Sequence, residues 1–239
     1  MTLKADWPVI NGPVDPDSEE RLFFTEHEWE TVEAAAARII PTDQDPGARE
    51  ARVVVFIDRY LSGIDYVYAA ADGSGFLKMS GRYADAWRAR MADMQRTYRE
   101  GLRNLDDVSV LEHGGLFKEL SEEDQDRVLE VISGAPKPGK VTLGTKEAVT
   151  TFLQGSFDEG LEFFPALCLH TKQGFYGDPV YGGNKEQMGW KFIGFPGPKS
   201  LKDTMDGTYT THEYFMEGDF DWEDLIPHLK VSTFREPEA

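Results

Sequence analysis

The sequence predicts an all-α fold, a single-domain helical bundle that ends in a long irregular segment rich in glycine and aromatic residues. Three observations carry this expectation. Tyr83, Trp87, Met91, Met94, Tyr98 and Leu102 recur at steps of three or four, the period of one face of an amphipathic helix. Thr25 is followed by Glu28 and flanked by Phe24 and Trp29, a capping box with a hydrophobic staple and therefore a helix start. Beyond Gly174 the periodicity stops, and glycines, prolines and aromatics crowd residues 175–220, the composition of irregular loop or short strand.

Taken in order, residues 1–23 read as an extended N-terminal arm, interrupted by Pro8, Pro13 and Pro16. The first helix spans about Glu26 to Ile40, with Trp29, Val32, Ala36, Ile39 and Ile40 on one face, and Pro41 stops it. Asp45-Pro46-Gly47-Ala48 restarts the chain with proline near the first helical position. Val53, Val54, Ile57, Tyr60 and Leu61 then continue at helical spacing to about Ser62. The Tyr83–Leu102 stripe gives a third helix of roughly seven turns, its methionines and aromatics reading as core. Ser121 caps a fourth, with Asp124 at the third position and Val128, Leu129, Val131 and Ile132 behind it. After a Gly134–Lys140 loop, a fifth helical stretch covers about Thr145 to Lys172, broken or kinked by Gly155, Gly160 and Pro165. Trp222 to Leu229 reads as one short helix. The resulting boundaries are an arm at 1–23, a helical domain at 24–198 and a C-terminal extension at 199–239.

Charge narrows the function. The chain carries 43 acidic against 25 basic side chains, a formal net charge of −18. Such a surface repels phosphate backbones and anionic lipid, so nucleic acid is excluded as a partner, and a basic protein face is favoured. No stretch approaches the length of apolar sequence that a membrane span needs. Met1 to Glu20 holds no apolar core of a signal peptide. As written the chain is cytoplasmic, or periplasmic if a twin-arginine signal was removed or lies on a partner. The single cysteine, Cys168, rules out an internal disulfide or a cysteine-rich metal site, and its apolar surroundings predict an inert buried thiol.

The residues that carry chemistry are few. Gly174-Phe175-Tyr176-Gly177-Asp178-Pro179-Val180-Tyr181-Gly182-Gly183-Asn184 has neither phosphate-loop nor dinucleotide spacing, so it reads as tight turns against which aromatics pack. The five histidines lack zinc-site spacing. His170 with Asp178 is the one candidate general base with an orienting carboxylate; the alternative is a histidine closing a helix end. Gly155-Ser156-Phe157 lacks the nucleophile-elbow pattern. Asp43 with Asp45, and Asp219 with Asp221, lack a calcium-loop pattern and read as turn or cap residues. No catalytic, cofactor-binding or metal-binding residue is assigned to this chain.

Two stretches resemble the gluconate 2-dehydrogenase subunit 3 family. One is Phe24-Thr25-Glu26-His27-Glu28-Trp29 through Ile39-Ile40-Pro41-Thr42-Asp43, then Pro46-Gly47-Ala48-Arg49-Glu50-Ala51 and Phe56-Ile57-Asp58-Arg59-Tyr60-Leu61. The other is Gly174 to Asn184, followed by Gly189-Trp190-Lys191-Phe192-Ile193-Gly194 and Pro196-Gly197. The resemblance covers roughly residues 23–198. It implies a non-catalytic small subunit whose partner is a large flavoprotein of the glucose-methanol-choline type, holding FAD and oxidising a sugar hydroxyl. Electrons then pass to a cytochrome c or another acceptor. Two alternatives remain: a transient folding or export chaperone for that flavoprotein, and a stand-alone enzyme built on His170 and Asp178. The family's twin-arginine export signal has no counterpart in Met1–Glu20. Tyr176, Asp178, Tyr181, Asn184 and Trp190 are the expected partner-facing residues, because aromatic anchors on tight turns suit an interface.

Overall fold

A computed structural model describes residues 9–10, 18, 20–63, 68–69, 76–136 and 158–195. The chain divides into two compact units, residues 1–68 with 75–197 and residues 69–74 with 198–239. The fold and site described below belong to the first. The predicted all-α class holds for the described residues, which add only the two-residue strands β1 (Val9–Ile10), β2 (Tyr68–Ala69) and β3 (Phe76–Leu77). Val9 pairs antiparallel with Leu77 and Ile10 with Phe76, so part of the predicted arm is strand. No described helix is long and apolar enough to cross a membrane.

The first helix, α1 (Glu26–Ile39), starts as its sequence dictates. The Glu28 N–H donates to the Thr25 hydroxyl at 3.3 Å, and the Thr25 N–H donates to the Glu28 carboxylate at 2.9 Å. These bonds satisfy backbone donors that the first turn leaves unpaired. Phe24 and Trp29 are both buried.

The second helix, α2 (Val53–Leu61), begins later than its sequence predicts. Residues 48–52 form turns, and Arg52 at φ 57° turns the chain into the helix, so Pro46 does not occupy the first helical position. Val53, Val54, Val55, Ile57 and Leu61 are all buried, which makes α2 the axis of the core. A carboxylate at its centre ties down the approach to α1. Asp58 accepts the N–H groups of Leu22, Phe23 and Phe24 at 2.6, 3.1 and 2.7 Å. Asp58→Asn keeps one oxygen but turns an amide NH₂ toward those donors. It is expected to lower stability by roughly 2–3 kcal/mol, read as a shift in urea midpoint at constant slope.

Helix α3 (Gly81–His113) runs 33 residues, longer than its six-residue stripe suggests, and Gly114 at φ 76° ends it. Trp87, Met91, Met94, Tyr98 and Leu102 are buried as predicted, whereas Tyr83 is 39% exposed. Its N-terminal half packs Met79, Ala84, Trp87 and Met91 into a small cluster, and its C-terminal half joins the main core. The Ser121 hydroxyl caps α4 (Glu122–Ser133) by accepting the Asp124 N–H. Val128 and Leu129 are buried in α4, but Val131 faces solvent.

Helix α5 (Phe163–Tyr176) corrects the predicted fifth helix. The described part before it, residues 158–162, is not helical; residues 145–157 lie outside the described residues, as does the short helix expected at 222–229. Pro165 breaks nothing, because it is the third helical residue, where no helical carbonyl awaits its missing N–H. The helix also runs through Gly174. A Cβ there would stand 3.0 Å from Val53 Cγ1 and 3.1 Å from Phe56, so glycine lets α5 lie close on α2. Short 3-10 turns at Pro179–Tyr181 and Lys185–Gln187 lead into α6 (Met188–Phe192). The described part of the supposed irregular segment is therefore ordered and partly helical.

Candidate functional site

Five polar side chains from four parts of the chain meet in the core. Asp158, just before α5, is 1% exposed. Its Oδ2 accepts from the Tyr60 hydroxyl at 2.8 Å and faces His170 Nε2 at 3.1 Å. Its Oδ1 accepts from Arg90 Nε at 2.8 Å and again from Arg90 Nη2. His170, fully buried within α5, places Nδ1 2.8 Å from the Tyr98 hydroxyl. The rings of Tyr98 and His170 stack at 5.7 Å with 16° between planes.

Burial raises Tyr98 well above the usual phenol range, and nearby Cys168, Asp158 and Tyr60 add to the rise. Its hydroxyl therefore stays protonated and donates to Nδ1, which leaves the proton of neutral His170 on Nε2, donated to Asp158. Burial holds His170 below the ordinary histidine range, although Asp158 opposes the shift. Burial alone would raise Asp158, but hydrogen bonds from His170, Tyr60 and Arg90 outweigh it and hold the carboxyl well below its usual range. The group at neutral pH is one anion, one cation and a neutral imidazole, with all four acceptor directions of the carboxylate used.

This arrangement ties α2, α3 and α5 together through one carboxylate. It does not present a base to a substrate, since His170 is enclosed on every side. His170 pairs with Asp158 and not with Asp178, and it lies inside α5, not at the helix end. Cys168, half-buried, has its thiol pushed up to about 11 by burial and is unreactive at neutral pH.

The lowered His170 value has a sign. The native state binds fewer protons than the unfolded chain below the ordinary histidine value of 6.5, so this stabilisation is complete above it and is lost as pH falls toward the folded value. Asp158 adds a second loss below its ordinary 3.8. The thermal midpoint is expected to fall between pH 7 and 5, and more steeply below about 4. His170→Gln should flatten the first limb, and an unchanged limb would refute the assignment.

The second assembly is the glycine-aromatic segment, which folds back on the C-terminal end of α5. Asn184, fully buried at φ 40°, donates from Nδ2 to the Gly177 carbonyl at 2.7 Å and accepts the Gly189 N–H at 2.8 Å. Trp190, 6% exposed, donates its indole N–H to the Tyr176 carbonyl at 2.8 Å. The last carbonyls of a helix lack helical donors, and here side chains from downstream supply them. Gly189 permits the fold-back, because a Cβ on it would lie 1.9 Å from the Phe175 carbonyl oxygen.

Of the five expected partner-facing residues, Asn184 and Trp190 thus point into this chain's own fold. Tyr176 is 37% exposed. Asp178 and Tyr181 are half-buried. Asp178 accepts the Val180 N–H at 2.9 Å, and burial raises its carboxyl despite that bond. Sequence reasoning missed Asp158, 12 residues before His170, and Tyr60 and Arg90, which stand far from it along the chain.

Beside this segment lies a cavity of about 320 Å³. Ile39, Ile40, Phe175, Tyr176 and Phe192 line it, with Asp43 and Asp45 from the loop after α1. No three metal-ligating side chains gather among the described residues. A family model described as gluconate 2-dehydrogenase subunit 3 matches residues 26–197, a span that includes the polar cluster, the fold-back and the cavity. No curated protein and no solved structure matches the chain.

Proposed function

This chain belongs to the gluconate 2-dehydrogenase subunit 3 family, and on that premise we propose that it is the non-catalytic small subunit of an FAD-dependent sugar or glycoside dehydrogenase. The observation that carries this reading is the family match itself, which takes in every described helix from Glu26 onward. In the proposed complex a large flavoprotein of the glucose-methanol-choline type holds FAD and the catalytic base. It oxidises a sugar hydroxyl and passes electrons to a cytochrome c or another acceptor. The small subunit stabilises that flavoprotein and helps it mature.

The enclosure of His170 supports the division of labour. A general base must come within hydrogen-bond reach of the proton it takes, and His170 is 0% exposed and already bonded at both nitrogens. The half-exposed face around Tyr176, Asp178 and Tyr181 supports a docking role. Asn184 and Trp190 contribute by holding that face in shape.

Co-expression of the tagged chain with a flavoprotein subunit encoded beside it tests the reading. The expected result is a stable yellow complex that oxidises sugar with an added acceptor, an activity absent from either chain alone. A colourless chain that retains no flavoprotein would overturn it. A yellow complex that dissociates once the flavoprotein has matured would favour a chaperone role instead.

A further inference from the structure

The cavity beside the fold-back is lined by apolar and aromatic side chains together with two carboxylates. Of its lining residues Phe175 is buried, while Tyr176 and Phe192 are 37% and 55% exposed. Ile193, next in the chain after Phe192, is also 55% exposed. Asp43, exposed, and Asp45, half-buried, line the same cavity. The Asp43 carboxylate accepts the Asp45 N–H at 3.0 Å. Among the described residues neither side chain forms an ion pair, although salt bridges occur on α1, α3 and α4.

Small-molecule sites typically converge several polar groups on a buried ligand. Here the lining is mostly apolar and aromatic, with one exposed and one half-buried carboxylate, the mixture of a protein interface with aromatic anchors and a polar rim. The volume is near the low end for ligand pockets, about 300 Å³, and suits one long side chain. Two carboxylates and aromatic rings lining one cavity match a guanidinium, which stacks on an aromatic face and donates in a planar fork to carboxylates. The net charge of −18 favours a basic face opposite.

We propose that this cavity seats an arginine side chain of the flavin-bearing subunit, its guanidinium stacked against Tyr176 or Phe192 and paired with Asp43 and Asp45. The inference rests on the small-subunit reading, and its test separates the two. The tagged chain would be prepared as wild type, as D43N/D45N and as Phe192→Ala, each co-expressed with the flavoprotein subunit and titrated against it at low and high salt. Asn at position 43 retains an oxygen for the Asp45 N–H, and unchanged circular dichroism and thermal midpoints would establish that the variants fold.

Binding by D43N/D45N is expected to be at least about tenfold weaker, with a shallower dependence on salt, and Phe192→Ala should weaken it as well. Wild type and variants binding equally, with the same salt slope, would overturn the arginine pocket and leave the subunit reading standing. Wild type failing to bind would overturn both. Weakening by Phe192→Ala alone would refute the cationic occupant in favour of an apolar anchor.

Discussion

Asp158→Ala is expected to lower the free energy of unfolding by about 3–5 kcal/mol, the usual cost of removing one partner from a buried ion pair. The carboxylate is 1% exposed and accepts from Tyr60, Arg90 and His170. Its removal strands three donors at once, one of them a cation. His170→Phe should cost less, because Asp158 keeps Arg90 and Tyr60 and only the imidazole contacts disappear. The order of the two variants is the discriminating result, measured by urea unfolding followed at 222 nm. Were Asp158→Ala to cost less than about 1 kcal/mol, the cluster would not be what holds α2, α3 and α5 together.

Gly189→Ala should be the most damaging single methyl group in the described fold. The added Cβ would meet the Phe175 carbonyl oxygen at 1.9 Å and its carbon at 2.9 Å. These are backbone atoms of a packed helix and cannot swing aside as a side chain would. The methyl group is accommodated only if residues 182–195 lift from α5, breaking the bonds from Asn184 and Trp190 to the Gly177 and Tyr176 carbonyls. Overpacking usually costs about 1–3 kcal/mol, and the lost carbonyl partners place this variant at or above the top of that range. Hydrogen exchange would show it as loss of protection confined to the Gly189 amide and its neighbours, with α1 and α4 unaffected. Retained protection there would mean that the fold-back tolerates the methyl group.

Most of the helical frame was legible because its signals are local. The Thr25–Glu28 box, the Ser121 cap and the stripe from Trp87 to Leu102 each depend on residues within a few turns, and each is found as predicted. The start of α2 was not, since Arg52 adopts a left-handed conformation that its sequence does not announce. In the sequence Pro165 reads as a helix breaker, and Gly174 as the point where periodicity stops. Propensity does disfavour both in a helix interior, but Gly174 meets α2 closely and Pro165 falls in the first turn, where the cost largely disappears.

The polar cluster was the least legible part. Asp178 stood out because it is near His170 in sequence, whereas the true partner, Asp158, lies on the other side and completes its shell with Tyr60 and Arg90 from distant helices. Nothing local marks those residues as belonging together. The glycine-aromatic segment was recognised as unusual, and its inward half was not: Asn184 and Trp190 serve the end of α5, a destination visible only once the chain has folded back.

The pairing of α2 with α5 also has a consequence for the ribosome. These two helices pack more extensively on each other than on any other described element, yet about 100 residues separate Leu61 from Phe163 along the chain. At the usual pace of synthesis, Val53, Val54, Ile57 and Leu61 wait roughly 5–20 s for the surface that covers them. During that interval α1 and α3 can pack on α2, but the face that α5 covers stays bare, and its protection falls to whatever meets it outside the exit tunnel.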